Sequence, residues 1–241
     1  MWNAVFWGGV SGSAVLLGAL AAILIPIKKN IIGYIMAFGT GVLIGAAAYE
    51  LLADSVSDGG IWATGIGFIA GAAVFTALDF LISKKGADKR KRSNNSASKE
   101  AGLAIFIGTV MDAIPESIMI GASLISGGSV SWLLVIAIFI SNIPEGLSST
   151  TGLLKSDYSR KKIMLLWFSV LIISALSSMS GYLFLDHAPD YVLAAMAAFA
   201  GGGIIAMIAS TMMPEAYEDG GPITGIFTAA GLLISLVLDS M

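Results

Sequence analysis

Two short apolar runs carry the same tripeptide, Ile114-Pro115-Glu116 and Ile143-Pro144-Glu145, with Asp112, Ser141 and Asn142 beside them. A carboxylate deep in an apolar helix costs about 2.5–3.5 kcal/mol on insertion scales and generally marks function. Asp112 and Glu116 are four apart, as are Ser141 and Glu145, and Asn142 stands three before Glu145, so each set shares a helix face. Each proline removes a helical hydrogen bond and crowds the carbonyl four residues earlier, that of Met111 or Ile140. Both helices are therefore expected to be interrupted at these points. Facing each other, they would gather three carboxylates, an amide, a hydroxyl and up to two carbonyls, an oxygen-rich cage for a divalent cation. Three carboxylates in one cage do not all stay ionised without a cation, so cation release is expected to be paired with protonation. The plainer alternative is packing, since single prolines and buried acids do occur in membrane helices. Two copies of the motif on neighbouring segments weigh against it.

Composition says what must position these residues. Of 241 residues, 56% are hydrophobic and only 12% charged, with a mean hydropathy of +0.88. A soluble domain is nearer a quarter charged, so the deficit of charge marks an all-α integral membrane protein. There is no cysteine, which excludes a disulfide framework and thiolate metal sites. The single histidine, His187, excludes a zinc site built on several imidazoles. With neither cysteine nor a histidine inside an apolar run, no nucleophile–base pair supports an enzyme. The N-terminus lacks a basic region, so no cleavable signal peptide is expected.

Eight apolar runs are long enough to cross about 30 Å of hydrocarbon: 4–26, 31–53, 60–82, 102–125, 130–154, 163–185, 191–213 and 222–240. Connections are short except for the basic segment at about 83–100, expected to be a flexible cytoplasmic loop. No second domain fits, so residues 1–241 form one transmembrane domain. All thirteen basic residues fall between runs 1 and 2, 3 and 4, or 5 and 6. Alternating spans put them on one side, the cytoplasm by the positive-inside rule, with both termini outside. Such a chain belongs in the cell membrane, with the lipid bilayer as a partner and no role for nucleic acid.

The chain also repeats itself. Ala37-Phe38-Gly39 reappears as Ala198-Phe199-Ala200, and at the same offset Asp54 aligns with Glu215, Asp58 with Asp219 and Gly59-Gly60 with Gly220-Gly221. An odd number of spans separates the copies, so they are inverted, as in many secondary transporters whose site lies near the midplane. At this offset Glu50 pairs with Thr211. Glu50 is a secondary candidate ligand. Asp54 and Glu215 are read equally as interfacial solvation or as a vestibule, and His187 as a solvated loop residue. Gly-rich faces are read chiefly as helix-packing surfaces and are compatible with a homodimer.

At Asp112-Ala113-Ile114-Pro115-Glu116-Ser117, Ser141-Asn142-Ile143-Pro144-Glu145-Gly146 and Met213-Pro214-Glu215, the chain resembles the ZIP (Zrt- and Irt-like protein) family of divalent-metal transporters. The resemblance implies eight spans, with inverted repeats 1–3 and 6–8 around a central pair, spans 4 and 5. Carried over by position, it implies metal ligands at Asp112, Glu116, Ser141 and Glu145, with Asn142 adjoining. Where the family has histidine in span 4 this chain has Asp112, and Ser141 replaces the histidine or glutamine of span 5. Ala113 stands for the asparagine of a second site, so one all-oxygen site is expected. Losing imidazole shifts preference from the family's zinc toward Mn²⁺ or Fe²⁺, or even Mg²⁺.

The expected function is uptake of a divalent cation, the transported substrate rather than a cofactor. Access would alternate by movement of bundles 1–3 and 6–8 against the central pair. The alternative is a non-transporting metal sensor or scaffold of the same descent.

Overall fold

The computed structural model describes residues 1–82, 99–127 and 129–240. They are all-helical, with no strand among the described residues. Without water in a hydrocarbon layer, backbone groups must bond within their own segment, and long Leu-, Ile- and Ala-rich runs do so as helices. The elements are α1 (Trp2–Leu24), α2 (Lys29–Ala46), α3 (Asp54–Ile82), α4 (Lys99–Gly127), α5 (Trp132–Lys155), α6 (Arg160–Leu185), α7 (Asp190–Met207), α8 (Met213–Gly220) and α9 (Thr224–Asp239). Serine caps open two of them: Ser131 accepts from the Leu134 amide at 3.1 Å and Ser159 from the Lys162 amide at 3.3 Å. The basic segment expected as a flexible loop lies, from 83 to 98, outside the described residues.

Six helical stretches are long and apolar enough to cross a membrane. Two of them, Lys29–Ile82 with 54 residues and Asp190–Asp239 with 50, would be about 75–80 Å long if straight. They are not straight. Gly60 has φ 77° and Gly221 φ 66°, a left-handed backbone that glycine adopts without a Cβ clash. Helical continuity therefore runs over positions where the sequence separates two spans. Packing gives the directions. Gly67 and Gly71 of α3 meet Ala195 and Phe199 of α7 in parallel, while Gly33 of α2 and Leu51 just beyond it meet Ala216 and Gly201 in antiparallel order. It follows that α3 turns back on α2 at Gly60. By the same reasoning α9, parallel to α2 through Gly41–Thr228 and Gly45–Ser235, turns back on α7 and α8 at Gly221.

The interruptions expected at Pro115 and Pro144 are absent: α4 and α5 run through both prolines as continuous helices. Neighbouring helices and polar side chains satisfy what a proline frees, which is why membrane helices tolerate it. The irregular backbone lies elsewhere, in π-helical segments at Ala47–Ala53 after α2 and Ile208–Met212 after α7. These begin at equivalent positions of the internal repeat, as do the two glycine breaks.

The bundle also divides differently from the expected 1–3 and 6–8 groups. α1, α4, α5 and α6 pack chiefly on one another, and α2, α3, α7, α8 and α9 form a second group. α3 lies along α7 and α2 along α9 because small residues let backbones touch: a methyl on Gly71 would stand 1.9 Å from the Phe199 carbonyl oxygen. The main joint between the groups is α2 on α5, where Gly39 backs onto Ser141.

Candidate functional site

α4 and α5 carry the candidate residues into the interior. Asp112 is 4% exposed, Glu116 2%, Ser141 2%, Asn142 5% and Glu145 4%. α5 is the most enclosed of the candidate spans, which follows from its place between α1 of its own group and α2 of the other. Gly39 on α2 and Gly18 on α1 permit this. A Cβ on Gly39 would sit 3.0 Å from the Ser141 Cα, and one on Gly18 2.2 Å from the Ile143 carbonyl oxygen.

Thr109 donates from Oγ1 to Glu145 Oε1 at 2.9 Å and ties α4 to α5. Ser141 Oγ turns back to the Ile138 carbonyl at 3.0 Å. One turn beyond Glu145, Ser148 donates its hydroxyl to Glu215 Oε1 of α8. Further along, Trp167 of α6 donates Nε1–H to Thr150 Oγ1 at 2.8 Å. Sequence reasoning overlooked Thr109 and Ser148. The signal was there: Thr109, Asp112 and Glu116 follow i, i+3, i+7 spacing, and Ser141, Glu145 and Ser148 follow i, i+4, i+7, each one helix face.

Among the described residues, no three His, Cys, Asp or Glu side chains are gathered as a metal would require. The set Asp112, Glu116 and Glu145 is thus buried together on two helices without being drawn into ligand geometry.

Glu50 lies elsewhere. It sits half-buried in the π-helical segment after α2 and lines a cavity of about 370 Å³ with Asp54, Asp58, Ser123, Ser129, Ser131 and others. Met119 and Leu134 form part of the same wall, and Met119 is one turn along α4 from Glu116. Thr211, the repeat partner of Glu50, bonds the Met207 carbonyl at 2.7 Å inside the second π segment. His187 is 96% exposed, 3.9 Å from Asp186, as a solvated loop residue should be.

The ends of the molecule differ. At the cavity end Trp2, Trp62, Trp132, Phe184 and Tyr191 are all exposed, and Trp7 packs edge-on against Trp132 at 4.8 Å. At the other end stand Lys28, Lys29, Lys155, Arg160, Lys161 and Lys162, with Asp219 in electrostatic reach of Lys29 and Lys155.

No protein-family model matches the chain, and no curated protein matches it.

Proposed function

We propose that the chain is a divalent-cation transporter of the ZIP type, carrying cations through a site between α4 and α5. The observation that carries the reading is the burial of three carboxylates, a serine and an asparagine on two adjoining helices, one turn from the wall of an acidic cavity. Buried acids in membrane helices mark ion pathways, and hard oxygen donors suit Mn²⁺, Fe²⁺ or Mg²⁺ better than they suit zinc. Binding would draw Asp112, Glu116 and Glu145 together, with Ser141 and Asn142 completing the oxygen set and Glu145 leaving Thr109. Glu50, at the cavity, then serves the approach rather than the central site.

Eight spans are the reading that fits two over-long helices folded back at Gly60 and Gly221. The paired π segments and glycine breaks support an inverted repeat. Exposed tryptophans at one end and lysines at the other support a multi-pass cell-membrane protein with the basic end in the cytoplasm. The termini would then lie outside, cation movement would run inward, and alternating access would slide α1, α4, α5 and α6 against α2, α3 and α7–α9.

A second reading, a sensor or scaffold that no longer transports, is favoured by one observation: the acids are not gathered at ligand spacing. Uptake by proteoliposomes separates the two. The transporter reading expects metal uptake that disappears in Glu116→Ala and Glu145→Ala; a scaffold gives none in the wild type.

A further inference from the structure

At the basic end, Ser148 of α5 donates a hydrogen bond to Glu215 Oε1 of α8. Both residues are buried, at 5% and 8% exposure. They belong to different helix groups, since α5 packs chiefly on α1 and α8 on α2, with α5 meeting the second group at its joint with α2. At the opposite end the same two groups stand apart around the 370 Å³ cavity, whose walls come from the π segment after α2, the start of α3 and α7 on one side, and α4 and the start of α5 on the other. A Cβ on Gly33 of α2 would stand 2.8 Å from the Gly220 amide nitrogen, which shows how tightly α8 is held within its own group. Ser148 is therefore fastened to an element that does not move independently of α2.

We propose that the Ser148–Glu215 hydrogen bond is the inner gate of the pathway, a latch that holds the basic end shut while the acidic end is open. The inference rests on the transport reading, in which Ser148 is the next polar residue on α5 after Glu145 on the way out. Opening this end requires α5 to part from α8, which breaks the bond. A hydrogen bond made in one of two arrangements and lost in the other biases their populations by its differential strength. Burial makes that bias count, since a buried carboxyl oxygen that loses its donor keeps the cost of desolvation without the bond that offset it. Met213-Pro214-Glu215 thereby gains a role: the proline starts α8 after the π segment and sets Glu215 in its first turn, facing α5.

The absence of cysteine provides a clean test, because any introduced thiol reports alone. Ser149→Cys, buried beside the latch, and Ser129→Cys, lining the cavity, are made one at a time in protein reconstituted into vesicles. Each is labelled with a membrane-impermeant maleimide from either side, with no metal present. Adding Ser148→Ala should raise labelling of Ser149→Cys from the basic side about tenfold and lower labelling of Ser129→Cys from the other. Ser148→Thr, which keeps the hydroxyl, should restore the wild-type pattern, and Glu215→Ala should reproduce the effect of Ser148→Ala. Unchanged labelling at both reporters overturns the latch. So does a rise at both, which is general loosening. Labelling is independent of cargo, so wild-type protein that takes up no metal refutes the transport reading by a separate measurement.

Discussion

The two ends of the molecule hold their acids in opposite ways. At one, Glu50, Asp54 and Asp58 stand at successive turns around a cavity with serines facing them. At the other, Glu215 is buried against Ser148, α8 presses on α2, and lysines flank the closure. Acids that face a cavity attract cations and remain hydrated, whereas a buried acid needs a donor. On the transport reading, access to the α4–α5 carboxylates would then be from the cavity side, because that is where water can reach. Charge alone does not set it, since both ends carry acids. On the transport reading the comparison also ranks the residues between the ends: those midway on α4 and α5 would handle the cation, while those beyond them would control approach and exit.

The largest effect expected is at the midpoint. Glu145→Gln keeps the shape and the acceptor for Thr109 but removes charge, and cation uptake should fall by at least about 100-fold while the helical circular dichroism is unchanged. Retention of most of the uptake would move the pathway away from α4 and α5. Next comes packing. Gly71→Ala places a methyl 1.9 Å from the Phe199 carbonyl oxygen, backbone that cannot yield cheaply, and should cost about 1–3 kcal/mol, seen as a lower Tm in detergent. Gly65→Ala, with nothing within 4 Å, should leave Tm unchanged or raise it slightly, because alanine favours helix by up to about 1 kcal/mol. Equal behaviour of the pair would mean that the close packing of α3 on α7 is not what orders the second helix group. The smallest effect is at the open end. Asp54→Asn with Asp58→Asn should raise the KM for uptake two- to fivefold at low salt, by about the strength of screened surface charges, and the difference should vanish near 0.5 M salt. An unchanged KM at low salt would deprive the cavity of its role in approach.

The α4–α5 pair was legible in the sequence because its chemistry is local: carboxylates at helical spacing inside apolar runs can be recognised without knowing what surrounds them. Thr109 and Ser148 were less so, since a lone hydroxyl in a membrane helix commonly bonds its own backbone, as Thr40 does to Met36 at 2.8 Å. Only the neighbouring helix shows that these two bond acids instead. The prolines misled about backbone because their cost depends on neighbours that supply compensation. The reverse holds at Ala47–Ala53, where an unremarkable Ala-Ala-Tyr-Glu-Leu-Leu-Ala run becomes π-helical. Nothing local demands this; the widened turn is where this segment itself packs on α7, with Leu51 against Gly201. π-turns of this kind are frequent at functional sites, and here one presents Glu50 to the cavity. Glycine pairs at 59–60 and 220–221 were visible as repeat positions, and Gly60 and Gly221 are where the backbone takes positive φ. The grouping of α1 with α4–α6 could not be read from the sequence, because repeat symmetry says which helices correspond and not which ones touch.

The most direct test of a cation site made of oxygen donors between α4 and α5 is competition uptake in proteoliposomes, with Zn²⁺, Mn²⁺, Fe²⁺, Cd²⁺ and Mg²⁺ set against one another, for the wild type and Asp112→His. The account predicts that Mn²⁺ or Fe²⁺ competes best in the wild type and that the imidazole moves preference toward Zn²⁺. Folded protein that carries none of these ions, or a preference that Asp112→His leaves untouched, would contradict it.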